Sequence, residues 1–130
     1  MKDLHIPARN DTPEIRFEFS RHRLCIYGES FPENAIGFYG PIRSRLQDYL
    51  EKLPVDGRVD VNIGLLYSDS SSARLIRALI GMLDRAARSG PSISVHWLLA
   101  EDDEVGMEFG IDLMEEHGSL QFNVVVAETA

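Results

Sequence analysis

Asp69-Ser70-Ser71-Ser72 is the richest local run of side chains able to carry covalent chemistry in this sequence. The alternating Val59, Val61, Ile63 and Leu65 precede it and the helically spaced Ile76, Leu79 and Leu83 follow, so the hydroxyls stand where a strand gives way to a helix. Hydroxyls at such a junction have two uses. One caps the helix by accepting a hydrogen bond from a free backbone N–H of the first turn, worth about 1 kcal/mol. The other receives a phosphoryl group, which gains N–H donors and the positive end of the helix dipole. Arg74 lies one turn along and could pair with that phosphate. Only one side chain can occupy a cap, so three consecutive serines exceed what capping needs.

A second cluster, Gly28-Glu29-Ser30-Phe31-Pro32-Glu33-Asn34, reads structurally as a strand end, a Ser or Asn cap, and a proline and an acid near a helix start. Chemically, Glu29 and Glu33 could form a glycosidase-like carboxylate pair, and a small enzyme built on Glu29, Glu33 or Asp102 is one alternative reading. A receiver-like module phosphorylated on Asp69 is another. It lacks the paired acids after the first strand that would hold Mg2+, with only Glu29 after the second. The sequence carries no P-loop, no Gly-x-Ser-x-Gly elbow and no His-Glu-x-x-His, so no nucleophile-and-base pair points to an enzyme and no catalytic residue is assigned. Gly106 and Gly110 read as close packing against a sheet rather than a ligand loop. Cys25, the single cysteine, lies between Leu24 and Ile26 in a strand pattern and reads as a small apolar filler. His5, His22, His96 and His117 lack metal-binding spacing, so neither metal nor cofactor is expected.

At 130 residues the chain fits one domain, expected to span 1–130 with an irregular arm over 1–14. Its 21 acidic and 13 basic residues give a formal charge of -8, a field that repels nucleic acid and anionic membrane surfaces. No apolar run suits a bilayer span and the first residues do not read as a signal peptide, so a cytoplasmic protein with neither nucleic-acid nor membrane partners is expected.

The elements that must position the serines follow from periodicity. Ile15, Phe17 and Phe19, the turn-like Ser20-Arg21-His22, then Leu24 and Ile26 predict a β-hairpin. Helical spacing starts at Pro32 and runs through Phe38, Ile42, Leu46, Tyr49 and Leu53, with a kink or restart expected at Gly40-Pro41. After the Val59–Leu65 strand, a long helix buries Ile76, Leu79, Leu83 and Ala86 or Ala87, and turns Arg74, Arg77, Arg85 and Arg88 to another face. Those arginines read as a solvated face or as the border of a docking surface. Ile93, Val95 and Trp97 predict a strand, Val105 to Met114 a helix capped by Asp102 or Asp103, and Leu120 to Val126 a last strand. The order β-β-α-β-α-β-α-β predicts an α/β fold: a mixed sheet of about five strands covered by about three helices.

Asp3-Leu4-His5-Ile6-Pro7, Thr12-Pro13, Gly28-Glu29-Ser30 with Pro32-Glu33-Asn34, and Leu66-Tyr67 leading into Asp69-Ser70-Ser71-Ser72 together resemble the SiaC family of bacterial regulatory phosphoproteins. The resemblance runs from about residue 3 to residue 126. It implies a fold like that of the STAS domains of anti-sigma factor antagonists, and a non-enzymatic regulator switched by phosphorylation at the strand-to-helix junction. The accepting hydroxyl maps onto Ser70, where family members often carry Thr, with Ser71 as the rival. The implied partners are a serine kinase related to anti-sigma factors, a PP2C-type phosphatase, and an effector that in some members is a diguanylate cyclase, linking the switch to cyclic-di-GMP and biofilm formation. Asp69, Ser72, Arg74, Arg77, Glu29, Ser30, Glu33 and Asn34 are then the expected partner-binding residues.

Overall fold

The computed structural model describes residues 1–127; the last three positions of the expected 1–130 domain lie outside the described residues. Period-two apolar patterns build strands β1 (Leu4–Ile6), β2 (Glu14–Glu18), β3 (Arg23–Ser30), β4 (Arg58–Ser68), β5 (Ser92–Ala100) and β6 (Gln121–Ala127). They form one six-stranded sheet in sequential order. β1, β2 and β3 pair antiparallel, and β3 through β6 pair parallel. The crossovers hold helices α1 (Ala35–Glu51), α2 (Ser70–Arg88) and α3 (Glu104–Glu116).

Parallel strands that step one way across a sheet through right-handed crossovers place all their helices on one face. Burial follows that rule: Val59, Val61 and Ile63 of β4 and Ile93, Val95 and Trp97 of β5 are buried, whereas Asp60, Asn62, Ser94 and His96 between them are partly exposed. The uncovered face carries polar pairs such as His96 Nε2 and Asp60 Oδ1, 3.0 Å apart on adjacent strands.

The sheet has six strands rather than about five, because residues 4–6 leave the expected irregular arm and pair with Phe17, Arg16 and Ile15. Three residues are too short a run to show periodicity beside Pro7. Their place is fixed instead by pairing and by Asp3, whose carboxylate accepts the Ser20 N–H and hydroxyl, both at 3.1 Å. The Ser20-Arg21-His22 segment forms a short 3-10 turn over Phe19–Arg21, closed by His22 at a left-handed φ of 54°. α1 does not restart at Gly40-Pro41; it is continuous through the proline, with Tyr39, Ile42, Leu46 and Tyr49 buried on both sides of it. Burial of that stripe outweighs the loss of one backbone donor.

Trp97 shows why α3 carries a glycine at position 110. Its Nε1 donates to the Gly106 carbonyl at 2.9 Å and its ring meets Phe109 edge-on at 5.1 Å. A Cβ at Gly110 would stand 2.5 Å from Trp97 Cδ1, inside contact distance of a rigid ring. Gly110→Ala is therefore expected to lower stability by about 1 kcal/mol net, the overpacking cost exceeding the gain in helix propensity. Urea unfolding followed by Trp97 fluorescence checks this, and an unchanged midpoint would show that the indole yields freely.

Candidate functional site

The sequence blocks that stood apart converge at one end of the sheet. β4 runs three residues past Leu65, and its pairing with β3 shifts there: Gly28 faces Leu65, but Glu29 faces Tyr67. Leu66 is the extra residue of a β-bulge, which breaks the in-out alternation and turns both Leu66 and Tyr67 outward. Gly28 sits at φ +127°, with Pro13 Cα 3.3 Å from where a Cβ would stand, and the Phe31 N–H donates to the Asp11 carbonyl at 2.8 Å. The Asp69 N–H donates to the Ser30 carbonyl at 3.0 Å, so the 11–13, 28–31 and 69–72 segments lock together.

The helix cap is Asp69, not a serine. Its Oδ1 accepts the Ser72 N–H at 2.8 Å. Asn34 does the same for α1, accepting the Gly37 N–H at 3.0 Å. With the cap supplied by a carboxylate, Ser70 and Ser71 occupy the first two helical positions and are exposed. Ser70 lies on the wall of a hollow of about 280 Å³ between α2 and α3, shared with Asp69, Arg77, Glu108, Phe109 and Asp112. Ser71 does not line that hollow.

Ser30 and Ser72, expected at the partner surface, are instead fully buried, and neither can touch a partner in this conformation. The Ser30 hydroxyl donates to Ser72 Oγ at 2.8 Å and, with its proton so committed, accepts from the Tyr39 hydroxyl at 2.6 Å. Three hydroxyls from β3, α1 and α2 thus satisfy one another beneath Ser70 and Ser71. Burial pushes the Tyr39 phenol up to about 12. Burial likewise holds Tyr49 near about 12.

The other expected residues divide by role. Glu29 and Glu33 are exposed, Arg74 is exposed one turn beyond Ser70, and Asn34 is committed to capping. Arg77 is half-buried: it pairs with Glu116 and lies over the Phe109 ring at 5.3 Å. Glu29, Glu33 and Asp102 stand on a strand end, a loop and a turn, all exposed, and no group of three metal-ligating side chains occurs among the described residues. Asp69 is not placed like a receiver acceptor, since its carboxylate is taken up by the cap and the sequential strand order lacks the doubly wound switch point.

An apolar surface beside Ser70 was not foreseen from periodicity. Leu66 and Val105 are 72% and 80% exposed, and Phe31 and Tyr67, also exposed, meet edge-on at 5.9 Å between ring centroids. The signal was present in the adjacent apolar pair Leu66-Tyr67, which breaks the alternation of β4. Contiguous exposed apolar groups of this kind mark interaction surfaces.

The buried hydroxyl chain has a measurable signature. Tyr39→Phe strands the Ser30 acceptor and is expected to cost about 1–3 kcal/mol at neutral pH. A phenol whose folded pKa is raised above its ordinary 10 contributes stability below pH 10 that is lost as pH climbs through about 12. The variant should therefore show a shallower alkaline loss of stability than the parent. Denaturation midpoints from pH 8 to 12, with tyrosinate absorbance, check both; equal slopes would remove Tyr39 from the network.

Comparison with known proteins agrees with this geometry. The model of the SiaC family of regulatory phosphoproteins matches residues 6–127. An uncharacterised protein of Pseudomonas aeruginosa (strain UCBPP-PA14) is 29% identical over 118 residues, covering 89% of this chain and 90% of that protein. The structure of SiaC of Pseudomonas aeruginosa superposes with a TM-score of 0.83 at 24% identity, covering 98% of both chains. SiaC in the crystal structure of the diguanylate cyclase SiaD in complex with its activator SiaC, from the same organism, gives a TM-score of 0.82 at 25% identity, covering 95% of this chain and 98% of that one. With the family's pattern spanning residues 6–127, this chain belongs to the SiaC family of regulatory phosphoproteins.

Proposed function

We propose that this chain is a partner-switching module without catalytic activity of its own, that Ser70 is its phosphoacceptor, and that its effector is a diguanylate cyclase. The observation that carries the reading is the contrast within one turn of helix: Ser72 is buried and bonded, whereas Ser70 is exposed, freed from capping by Asp69 and flanked by exposed apolar residues. Ser71 is also exposed, but Ser70 faces the hollow and stands nearer the strand end that carries Leu66 and Tyr67.

The cycle balances simply. A cognate serine kinase related to anti-sigma factors transfers the γ-phosphoryl of a nucleoside triphosphate to Ser70 Oγ, releasing the diphosphate while the hydroxyl proton passes to a base on the kinase. A PP2C-type phosphatase directs water at the phosphorus, returning the hydroxyl and inorganic phosphate. The unmodified form docks on the cyclase through Phe31, Leu66, Tyr67 and Val105, with Glu29, Glu33 and Arg74 at the rim. The SiaD complex of the Pseudomonas relative, whose SiaC is described as its activator, supports this effector class. Adding nearly two negative charges at the edge of an apolar interface opposes docking by repulsion and desolvation.

Ser70→Ala is expected to hold the cyclase complex constitutively, and Ser70→Asp to weaken it by roughly tenfold or more. Calorimetric titration of each variant against a diguanylate cyclase from the same cells measures this, together with phosphosite mapping by intact mass before and after PP2C treatment. Equal binding by both variants would sink the gate, and a phosphatase-sensitive phosphate on Ser71 alone would move the acceptor by one residue.

A further inference from the structure

We propose that Arg77 reads the state of Ser70: a phosphate there draws the Arg77 guanidinium off Glu116 and Phe109 and so loosens α3 from α2. The inference rests on Ser70 as the acceptor and adds the element that responds. α3 is the most weakly held of the three helices. It buries only Gly110 and Leu113, whereas α2 buries seven residues and α1 five.

Arg77 is one of the side chains by which α2 holds α3, Asp84 near its C-terminal end being another. Arg77 lies over the Phe109 ring at 5.3 Å and pairs with Glu116, contacts that span most of the length of α3. It also lines the hollow into which Ser70 faces, where it is the one cation among Asp69, Glu108 and Asp112. Residues seven apart on a helix share a face, so Arg77 stands on the same side of α2 as Ser70 and lines the same hollow.

A dianionic phosphate in that hollow meets three carboxylates and a single guanidinium. It competes with Glu116 for Arg77 on favourable terms, because it brings more charge and three acceptor oxygens to a group suited to bidentate pairing. What remains faces Glu108 and Asp112 on α3 and repels them. Both effects act in one direction, away from the α2 contact. The exposed Val105 stands on the first turn of α3, so a shift of this helix alters the apolar surface next to the acceptor.

Phosphoserine installed at position 70 during translation, with occupancy verified by intact mass, tests this without any kinase or effector. Amide exchange across 104–116 should quicken roughly three- to tenfold. Arg77→Gln should reproduce that quickening without phosphate, and phosphate should then add nothing further. Phosphorus NMR supplies a readout that a purely structural arginine would not move: the second ionisation of the phosphate should lie lower in the parent than in Arg77→Gln, whatever the three carboxylates add to both. Arg77→Lys should keep part of that depression, and serves if the glutamine variant does not fold. Unchanged α3 exchange at full occupancy overturns the proposal, as does an ionisation midpoint indifferent to Arg77, which is the result expected if Arg74 or solvent takes the phosphate. Either result leaves the docking gate standing, since cyclase binding is measured separately.

Discussion

The hydrogen bond from Ser30 to Ser72 is the contact on which the strand-to-helix junction at 69–72 depends. Two serines forty-two positions apart meet with no solvent access, and Tyr39 closes the chain from a third element. A hydroxyl buried without a partner would cost about 1–3 kcal/mol, so none of the three could be buried here alone. Satisfied together, they hold the first turn of α2 at a fixed rotation over the end of β3. At that rotation the third serine of the run faces inward and the first two face out.

The same end of the molecule is electrostatically one-sided. Asp69, Glu108 and Asp112 face the hollow beside Ser70, in a chain whose formal charge is already -8. A phosphate arriving there adds to a negative field rather than neutralising a positive one. Repulsion of added negative charge is thus built into the surroundings of Ser70, and Arg74 and Arg77 are nearby groups able to soften it. A regulatory phosphoprotein gains from that arrangement, because one modification shifts a surface that is apolar at its centre and acidic around it.

Much of this was legible in the residues. The helix stripes of Ile76, Leu79 and Leu83 and of Ile42, Leu46 and Tyr49, the strand alternation and the junction at 69–72 all followed from periodicity, because core burial imposes those periods. β1 escaped because three residues cannot show a period, and pairing with Phe17 and Ile15 is a long-range fact. The burial of Ser30 and Ser72 escaped for a related reason. A serine is polar by type, and only the proximity of two other hydroxyls, contributed by distant segments, makes an interior position tolerable. The identity of the cap could be narrowed to Asp69 or a serine, but the choice depended on where the helix began, and boundaries are the least determined part of such a pattern.

The bulge at Leu66 has a further consequence for how this site can vary over evolutionary time. One extra residue in β4 is absorbed between Gly28 and Glu29: pairing resumes at Glu29 with Tyr67 and Ser30 with Ser68, and two adjacent side chains, Leu66 and Tyr67, face outward. Losing Leu66 would leave Tyr67 outward, directly after the inward Leu65, and Ser68 still opposite Ser30. The apolar surface would shrink while the cap at Asp69 and the first turn of α2 kept their places. The bulge is therefore a point where the size of that surface can change by one residue without disturbing the serines beside it.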